Sequence, residues 1–468
     1  MAAIIDFLNT IFWGYILIYG LLAVGVYFTL RLGFIQVRRF PEFIRTVLKA
    51  PQSDRGGISP FQALCTSLAS RVGTGNMTGV AVALYLGGPG AIFWMWVVAI
   101  IGMATAYAES TLAQLYKMRD QNGQLRGGPA FYISKGLKAP WAGAVFSLAL
   151  ILAFGLVFNA VQANSIAGAM EGAFGIDTSV TGIVIMLLAA IVIFGGIKKI
   201  ARFAEIVVPF MAVLYLLLAL YVIVANISEV PAAFALIFKS AFGIEQAAGG
   251  VLGAMLNGVK RGLFSNEAGM GSAPNIAAVA TPNPHHPASQ GMVQSLGVFI
   301  DTLLICTATA LMILLSGALG NGQTGIMLTQ TALTTHIGSA GHYFVAIAIF
   351  FFAFTSIIGN YSYAENALTY LKWANKPGVF ILRILALAMI PWGAYESVAM
   401  VFNAADAAMG LMATINLIAI MMLSGLVVKL TKDYFTQLKT HTPVFNSDDY
   451  PEIRDDIDLS VWDEKPSK

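Results

Sequence analysis

Two stretches of this chain place chemistry-bearing side chains where an apolar sequence should continue. The first, Ser70-Arg71-Val72-Gly73-Thr74-Gly75-Asn76-Met77-Thr78-Gly79, lies inside a segment, 60–86, otherwise apolar enough to cross a membrane. The second runs from Asn257 through Lys260-Arg261-Gly262-Leu263-Phe264-Ser265-Asn266-Glu267-Ala268-Gly269-Met270-Gly271 to Asn275 and interrupts the apolar run 247–280. Glycine costs a helix about 1 kcal/mol relative to alanine. Broken backbone at membrane depth is tolerated only where it is buried in protein or lines a water-filled cavity. Two half-helices meeting at the midplane present free N–H groups at one N-terminus, which suit a carboxylate. Free carbonyls at the other half-helix end suit a hard cation. A pair of breaks therefore makes a site for a zwitterion and a metal ion together. The competing reading of these glycines is close helix packing; Gly128, Gly155 and Gly168 are read as packing or turn glycines.

The elements that must carry these breaks follow from composition. The 468 residues are 57% hydrophobic and 11% charged, with mean hydropathy +0.75, whereas soluble proteins carry about 25% charged residues. Apolar runs of about 20 residues argue for one polytopic all-α membrane protein. We count about eleven spans, near 10–30, 60–86, 90–117, 141–170, 179–196, 203–226, 247–280, 290–318, 341–372, 378–396 and 398–429. The net charge of +3 is no nucleic-acid signal. Cys65 and Cys306 lie in apolar runs, and without a CxxC they read as packing residues. Asp6 and the lack of a basic n-region argue against a cleaved signal peptide.

Basic residues orient the spans. Alternate loops hold Arg31, Arg38, Arg39, Arg45, Lys49 and Arg55; Lys117, Arg119, Arg126, Lys135 and Lys138; Lys198, Lys199 and Arg202; Lys372 and Lys376; and the C-terminal Lys429, Lys432, Lys439, Arg454, Lys465 and Lys468. The opposite set holds Glu171, Asp177, Glu229 and Glu245, with Lys239 as a cation. The N-terminus is therefore expected outside and the C-terminus in the cytoplasm. Phe40, Phe43, Ile44, Val47 and Leu48 fall on one helical face, as in an interfacial helix. The tail from Thr440, with Asp448, Asp449, Glu452, Asp455, Asp456 and Asp458, reads as solvated and partly disordered. The broken second and seventh spans cross in opposite directions, the pattern of an inverted-repeat secondary transporter.

Several motifs carry a family resemblance. Gly56-Gly57-Ile58-Ser59-Pro60-Phe61-Gln62-Ala63-Leu64 leads into the first break, and Gly87-Gly88-Pro89-Gly90-Ala91-Ile92-Phe93-Trp94-Met95-Trp96 follows it. Glu109-Ser110-Thr111-Leu112-Ala113-Gln114, Arg126-Gly127-Gly128-Pro129-Ala130, Val161-Gln162-Ala163-Asn164 and Arg261-Gly262-Leu263-Phe264-Ser265-Asn266-Glu267-Ala268-Gly269 complete the set. Together they closely resemble the alanine or glycine:cation symporters over nearly all the membrane region. The resemblance implies a LeuT-type fold, two five-helix inverted repeats with one extra N-terminal helix. It divides the chain into 1–58 (extra span and interfacial helix), 59–227 and 228–429 (the repeats) and 430–468 (cytoplasmic tail). It implies sodium-coupled uptake of a small neutral amino acid, alanine or glycine first, across a bacterial cytoplasmic (inner) membrane. It implies no enzymatic activity.

Residue roles follow from placing that fold's site on the matching positions. Backbone N–H groups of Thr74 and Gly75 would receive the substrate carboxylate. Asn76 would orient substrate or an ion, Gln162 would face the substrate, and Phe264, Asn266 and Met270 would line it from the second break. Na+ would take carbonyls of Ala69 and Val72 and hydroxyls of Thr355 and Ser356. For the hydroxyl pair, back-bonding to their own helix is the competing reading. The chain departs from the family at Asn360, where many relatives carry Trp; loss of that cap would enlarge the pocket and add an amide, which brings glutamine into range. Phe402 and Ile415 stand where Trp and Pro are common. Intramembrane charges are functional candidates by default: Arg71 is expected to pair with Glu267 or Asp301, while Glu109, Glu205, Lys260 and Glu365 fit snorkelling near interfaces. A channel would need repeated pore loops, and none is present. HExxH, GxSxG and P-loop motifs are absent, and all five histidines fall in loops or the tail. Proton coupling would use a midplane carboxylate such as Asp406 or Glu267.

Overall fold

The computed structural model describes residues 2–48, 57–121, 123–195, 197–243 and 250–462, with backbone alone for 197–205 and 208. Lys49, Arg55, Gly56, Glu245, Lys465 and Lys468 lie outside the described residues, as do the side chains of Lys198, Lys199, Arg202 and Glu205.

The chain is almost wholly helical. Helix α1 (Ala2–Arg31) ends in a turn at Gly33 (φ 62) and Phe34 (φ 56), after which α2 (Phe40–Leu48) lies across the bundle. In α2 the expected apolar face divides: Phe43 and Val47 are buried and Phe40 meets Phe299 at 4.8 Å, while Ile44 and Leu48 stay exposed. Helix α3 (Pro60–Arg71) starts with a capping box between Ser59 and Gln62 and Pro at its first position, the arrangement that satisfies free N–H groups at a helix start. It stops at Val72 and Gly73. A π-turn, Gly75–Gly79, then leads into α4 (Val80–Gly87), so the first break falls inside the expected second span.

Helix α5 (Gly90–Leu115) is followed by a hairpin, β1 (Met118–Arg119) and β2 (Leu125–Arg126), with Met118 opposite Arg126. Then come α6 (Pro129–Gly136), α7 (Pro140–Phe174), α8 (Thr178–Ile193) and α9 (Ile197–Ala225). Helix α10 (Val230–Ala241) turns by 103° from the end of α9 and is an element the sequence reading did not contain. Helix α11 (Gly250–Asn266) and α12 (Pro274–Val279) form the second broken segment. Between them Glu267, Gly269 and Gly271 have φ of 58, 89 and 84. Helix α13 (Pro287–Ser316), α14 (Gly325–Ile337), α15 (Ala340–Tyr370), α16 (Lys376–Tyr395), α17 (Val398–Met422) and α18 (Ser424–Gln437) complete the bundle.

Among the described residues, seven helices are each long and apolar enough to cross a membrane: α1, α5, α7, α13, α15, α16 and α17. The other four expected spans are the short α8, the kinked α9 and the two broken segments. The breaks sit against a common core in which α7 packs along α15 and α13 along α5.

The tail corrects the sequence reading. Phe445, Tyr450, Ile453, Ile457, Val461 and Trp462 are buried. Trp462 Nε1 donates to Leu115 O at 3.1 Å, and Phe445 N donates to His285 O at 2.9 Å. Asp458 accepts from Arg119 N, and Lys429 pairs with Glu452 at 2.7 Å. Acidic side chains coat the outside, while the apolar ones cover the ends of α5 and α13. Composition reports the coat and hides the contacts.

Candidate functional site

The two breaks meet. A Cβ at Gly75 would stand 2.9 Å from Ser265 Cα and 3.3 Å from the Phe264 ring, so only glycine admits the end of α11 this close. Asn76 staples the junction. Its Oδ1 accepts from Gly73 N at 2.9 Å, and its Nδ2 donates to Ser265 Oγ at 3.1 Å and to Asp301 Oδ1 at 2.7 Å. Both ends of the Asn76 amide are thus committed to protein.

Asp301 lies in a π-turn, Phe299–Cys306, within α13. Ser265 Oγ and Thr302 Oγ1 each donate to its Oδ2 at 2.7 Å. It is fully buried, and among the described residues no cation stands within ion-pair distance of it. Ser265 and Cys306 were missed as members of this cluster, because Ser265 is one of several polar residues in the second break and Cys306 a lone cysteine in an apolar run, and neither spacing shows the contact across helices.

At the first break Thr74 N donates to Gln162 Oε1 at 3.1 Å, which brings two expected substrate ligands together. The Thr74 hydroxyl is buried without a partner. Phe264 is buried between rings, stacked on Phe158 at 4.9 Å and tilted against Phe402 at 5.3 Å. Asn266 accepts from Ala268 N at 3.0 Å and leaves its Nδ2 without a partner, whereas Met270 is buried past the break. Asn360 lies toward the α3 side: its Nδ2 donates to Asn159 Oδ1 at 3.1 Å, and its Oδ1 is 2.9 Å from Ser70 Oγ.

Two of the four expected ion ligands are in contact. Ser356 Oγ lies 2.9 Å from Ala69 O, and also 3.0 Å from Phe352 O. A Cβ at Gly73 would collide with that hydroxyl. The Thr355 hydroxyl donates to Phe352 O at 2.9 Å, the back-bonded geometry, and Val72 continues the chain beyond Ala69 with extended ψ of 100.

The charged residues are arranged otherwise than expected. Among the described residues Arg71 pairs with no acid; its Nη atoms donate to Gln294 O at 3.2 Å and Gln294 Oε1 at 3.3 Å. Glu267 instead takes Ser272 Oγ at 2.5 Å and Ser70 Oγ at 3.2 Å. Gln294 thus takes both Nη atoms of the guanidinium, while the Arg71 Nε is buried without a partner. Glu109 does not snorkel: it is buried and fastens the second break, accepting from Gly269 N at 3.1 Å and Asn416 Nδ2 at 2.7 Å. Arg261 forms an ion pair with Asp406, and Lys260 approaches the same carboxylate at 3.5 Å. The Arg261 guanidinium lies 4.8 Å from the Phe402 ring. This pair bridges α11 and α17 above Phe264, on the side away from the basic loops. On that side a cavity of about 430 Å³ is lined by Thr78, Asn164, Glu171, Thr324 and Glu396.

Comparison with known proteins identifies the family and the fold. The model of the sodium:alanine symporter family matches residues 1–447. The chain is 50% identical over 449 residues to the probable sodium/glutamine symporter GlnT of Bacillus subtilis, covering 95% of this chain and 93% of that protein. It is 48% identical to the amino-acid carrier protein AlsT of Bacillus subtilis over 99% of this chain and 98% of that protein. It is 41% identical to the sodium/alanine symporter AgcS of Methanococcus maripaludis over 92% of this chain and 97% of that protein. Among solved structures it resembles MhsT, determined in complex with L-phenylalanine, with TM-score 0.57 and 15% identity over 88% of this chain and 95% of that one. A manganese transporter of Eremococcus coleocola follows with TM-score 0.54 and 14% identity, covering 81% of this chain and 80% of that one. The fold is LeuT-type and the chain a polytopic all-α membrane transporter. It belongs to the sodium:alanine symporter family.

Proposed function

We propose that the chain imports a small neutral amino acid, alanine or glycine first, together with Na+, using 59–227 and 228–429 as its two inverted repeats. The observation that carries this reading is the contact of the two breaks, Gly75 against Ser265, with free polar groups at Thr74 and Asn266 beside it. The substrate carboxylate takes N–H groups of Thr74 and Gly75 after Gln162 swings aside. Phe264, with Phe158 and Phe402, covers the side chain, and Met270 closes the far end.

Na+ takes Ala69 and Val72 carbonyls with the Ser356 and Thr355 hydroxyls, an all-oxygen shell suited to a hard cation. The Asp301 carboxylate next to Asn76, which has hydrogen-bond donors but no ion-pair partner among the described residues, supports cation coupling, since a buried carboxylate favours a nearby positive ion. Asp406, already faced by Arg261 and Lys260, serves as an outer latch rather than a proton carrier. The molecule sits in a bacterial inner membrane with its N-terminus outside and its C-terminus in the cytoplasm; the alternating basic loops support this orientation.

Glutamine is a second reading. Asn360 and Asn159 form an amide pair beside Ser70, and a relative at 50% identity is named a sodium/glutamine symporter. A substrate amide can exchange into such a pair without leaving a polar group unsatisfied.

Uptake of labelled alanine, glycine and glutamine into proteoliposomes, with an inward Na+ gradient or with a proton gradient alone, tests both readings. Sodium-driven accumulation of at least one substrate is expected. Uptake indifferent to Na+ for all three would overturn the coupling.

A further inference from the structure

A second cavity, which shares no lining residue with the breaks, lies between α18 and the end of α1. It has a volume of about 230 Å³ and its lining includes Arg31, Arg38, Arg39 and Lys432, with no carboxylate. Among the described residues none of these four cations takes part in an ion pair. Two acids on the adjoining helices are engaged elsewhere. Glu42 faces Arg45 at 3.7 Å and Tyr434, and Asp433 faces His286 and Tyr450.

Of the four cations Arg39 is held in place, while Arg31, Arg38 and Lys432 are exposed to what enters the cavity. The Arg39 guanidinium lies 4.5 Å from the Phe435 ring, and its Nε is buried without a partner. A Cβ at Gly33 would stand 3.3 Å from the Arg38 guanidinium, so glycine leaves that side chain its place. Interleaved in sequence with the lining residues are exposed apolar ones: Leu30, Phe34 and Val37 are 59%, 51% and 66% exposed. Phe34 is turned outward by its left-handed backbone, with φ 56. A cluster of four unpaired cations against an exposed apolar rim belongs at a lipid–water boundary, on the side that the positive-inside pattern assigns to the cytoplasm.

We propose that this cavity binds the phosphate headgroup of an anionic phospholipid. The phosphodiester sits between the Arg38 and Arg39 guanidiniums, whose paired N–H donors match phosphate oxygens. Arg31 and Lys432 neutralise it from either side, and the acyl chains run along Leu30, Phe34 and Val37. The lipid thereby ties the end of α1 to α18.

The test uses the full-length protein in vesicles of phosphatidylcholine with or without phosphatidylglycerol, reading relative lipid affinity by quenching from spin-labelled lipids. The wild type should prefer phosphatidylglycerol. Arg38→Gln with Arg39→Gln should lose about fivefold in that preference per charge removed, the equivalent of about 1 kcal/mol for each cation. Lys372→Gln with Lys376→Gln, which removes two exposed cations from another basic loop, should leave it within about twofold of the wild type. If the arginine pair does not fold, Lys432→Gln, on an exposed position of α18, reads the same cavity and should show the single-charge loss. No preference in the wild type, or equal loss in the cavity and control variants, would overturn the proposal. Inorganic phosphate at millimolar concentration displacing the lipid label would also overturn it, because the ligand would then be a soluble anion.

Discussion

Ser356 and Asn360 share α15 and contact the end of the first half-helix, and in the proposed mechanism they address different ligands. Ser356 reaches the Ala69 carbonyl at 2.9 Å, so Ser356→Ala removes one oxygen from the proposed shell. A hydrogen-bonding partner to a charged group is worth about 1.5–3 kcal/mol, and the Na+ concentration for half-maximal uptake should rise about tenfold or more. Unchanged Na+ dependence would take Ser356 out of the shell. Asn360 bonds Asn159 and lies beside Ser70. Asn360→Trp fills the space and withdraws the amide, so competition by glutamine should fall about tenfold against alanine, since a polar substrate group then goes unpaired. Glutamine competing equally before and after the change would refute the amide argument. The polar character of both positions was legible in the sequence. That Asn76 is consumed by Gly73, Ser265 and Asp301 was not, because its partners come from other helices.

The helix breaks were legible because three glycines and a run of hydroxyl and amide side chains cannot continue a lipid-facing helix. Their mutual approach gives a sharper expectation. Gly75→Ala drives a Cβ into Ser265 at 2.9 Å, whereas at Gly79 the nearest atom is 3.6 Å away. Overpacking costs about 1–3 kcal/mol, so Gly75→Ala should abolish most uptake, while Gly79→Ala should retain it at equal expression. The docked tail was not legible, since its buried residues have no helical or strand period. Its hold on the bundle includes His286 Nε2 at 3.4 Å from Asp433 Oδ2 and Tyr450 OH donating to that carboxylate at 3.0 Å. Burial pulls the His286 imidazole below its ordinary range. For Asp433, burial pushes upward, but hydrogen bonds from His286, Gln437 and Tyr450 outweigh it and hold the carboxyl low. Both folded-state values are depressed, so both groups bind more protons once undocked, and docking weakens as pH falls. Limited proteolysis should cut 441–462 faster at pH 5.5 than at pH 7.5, with the change beginning below about 6.5, the ordinary histidine value. Equal cleavage at both pH values would rule out this contribution.

At the scale of the whole molecule, orientation is the open quantity with the most direct measurement. Cys65 and Cys306 are both buried, so an introduced thiol dominates labelling by a membrane-impermeant maleimide. Asn321→Cys, in the exposed turn before α14, should label in intact cells, and Lys372→Cys only after permeabilisation. The reverse result would invert the assignment of sides. The sequence by itself determined the membrane class, the two broken segments and the motifs of the family. These are local properties: hydropathy, glycine content and loop charge act on each segment before it meets any other. Only the tertiary structure decided which partner each buried polar group takes. Arg71 bonds an amide, Glu109 fastens the second break, Asp406 is latched by Arg261, and the acidic tail covers the ends of α5 and α13. A buried charge must find hydrogen bonds somewhere. Which residue supplies them depends on helix packing across hundreds of positions, and periodicity in one segment does not encode that choice.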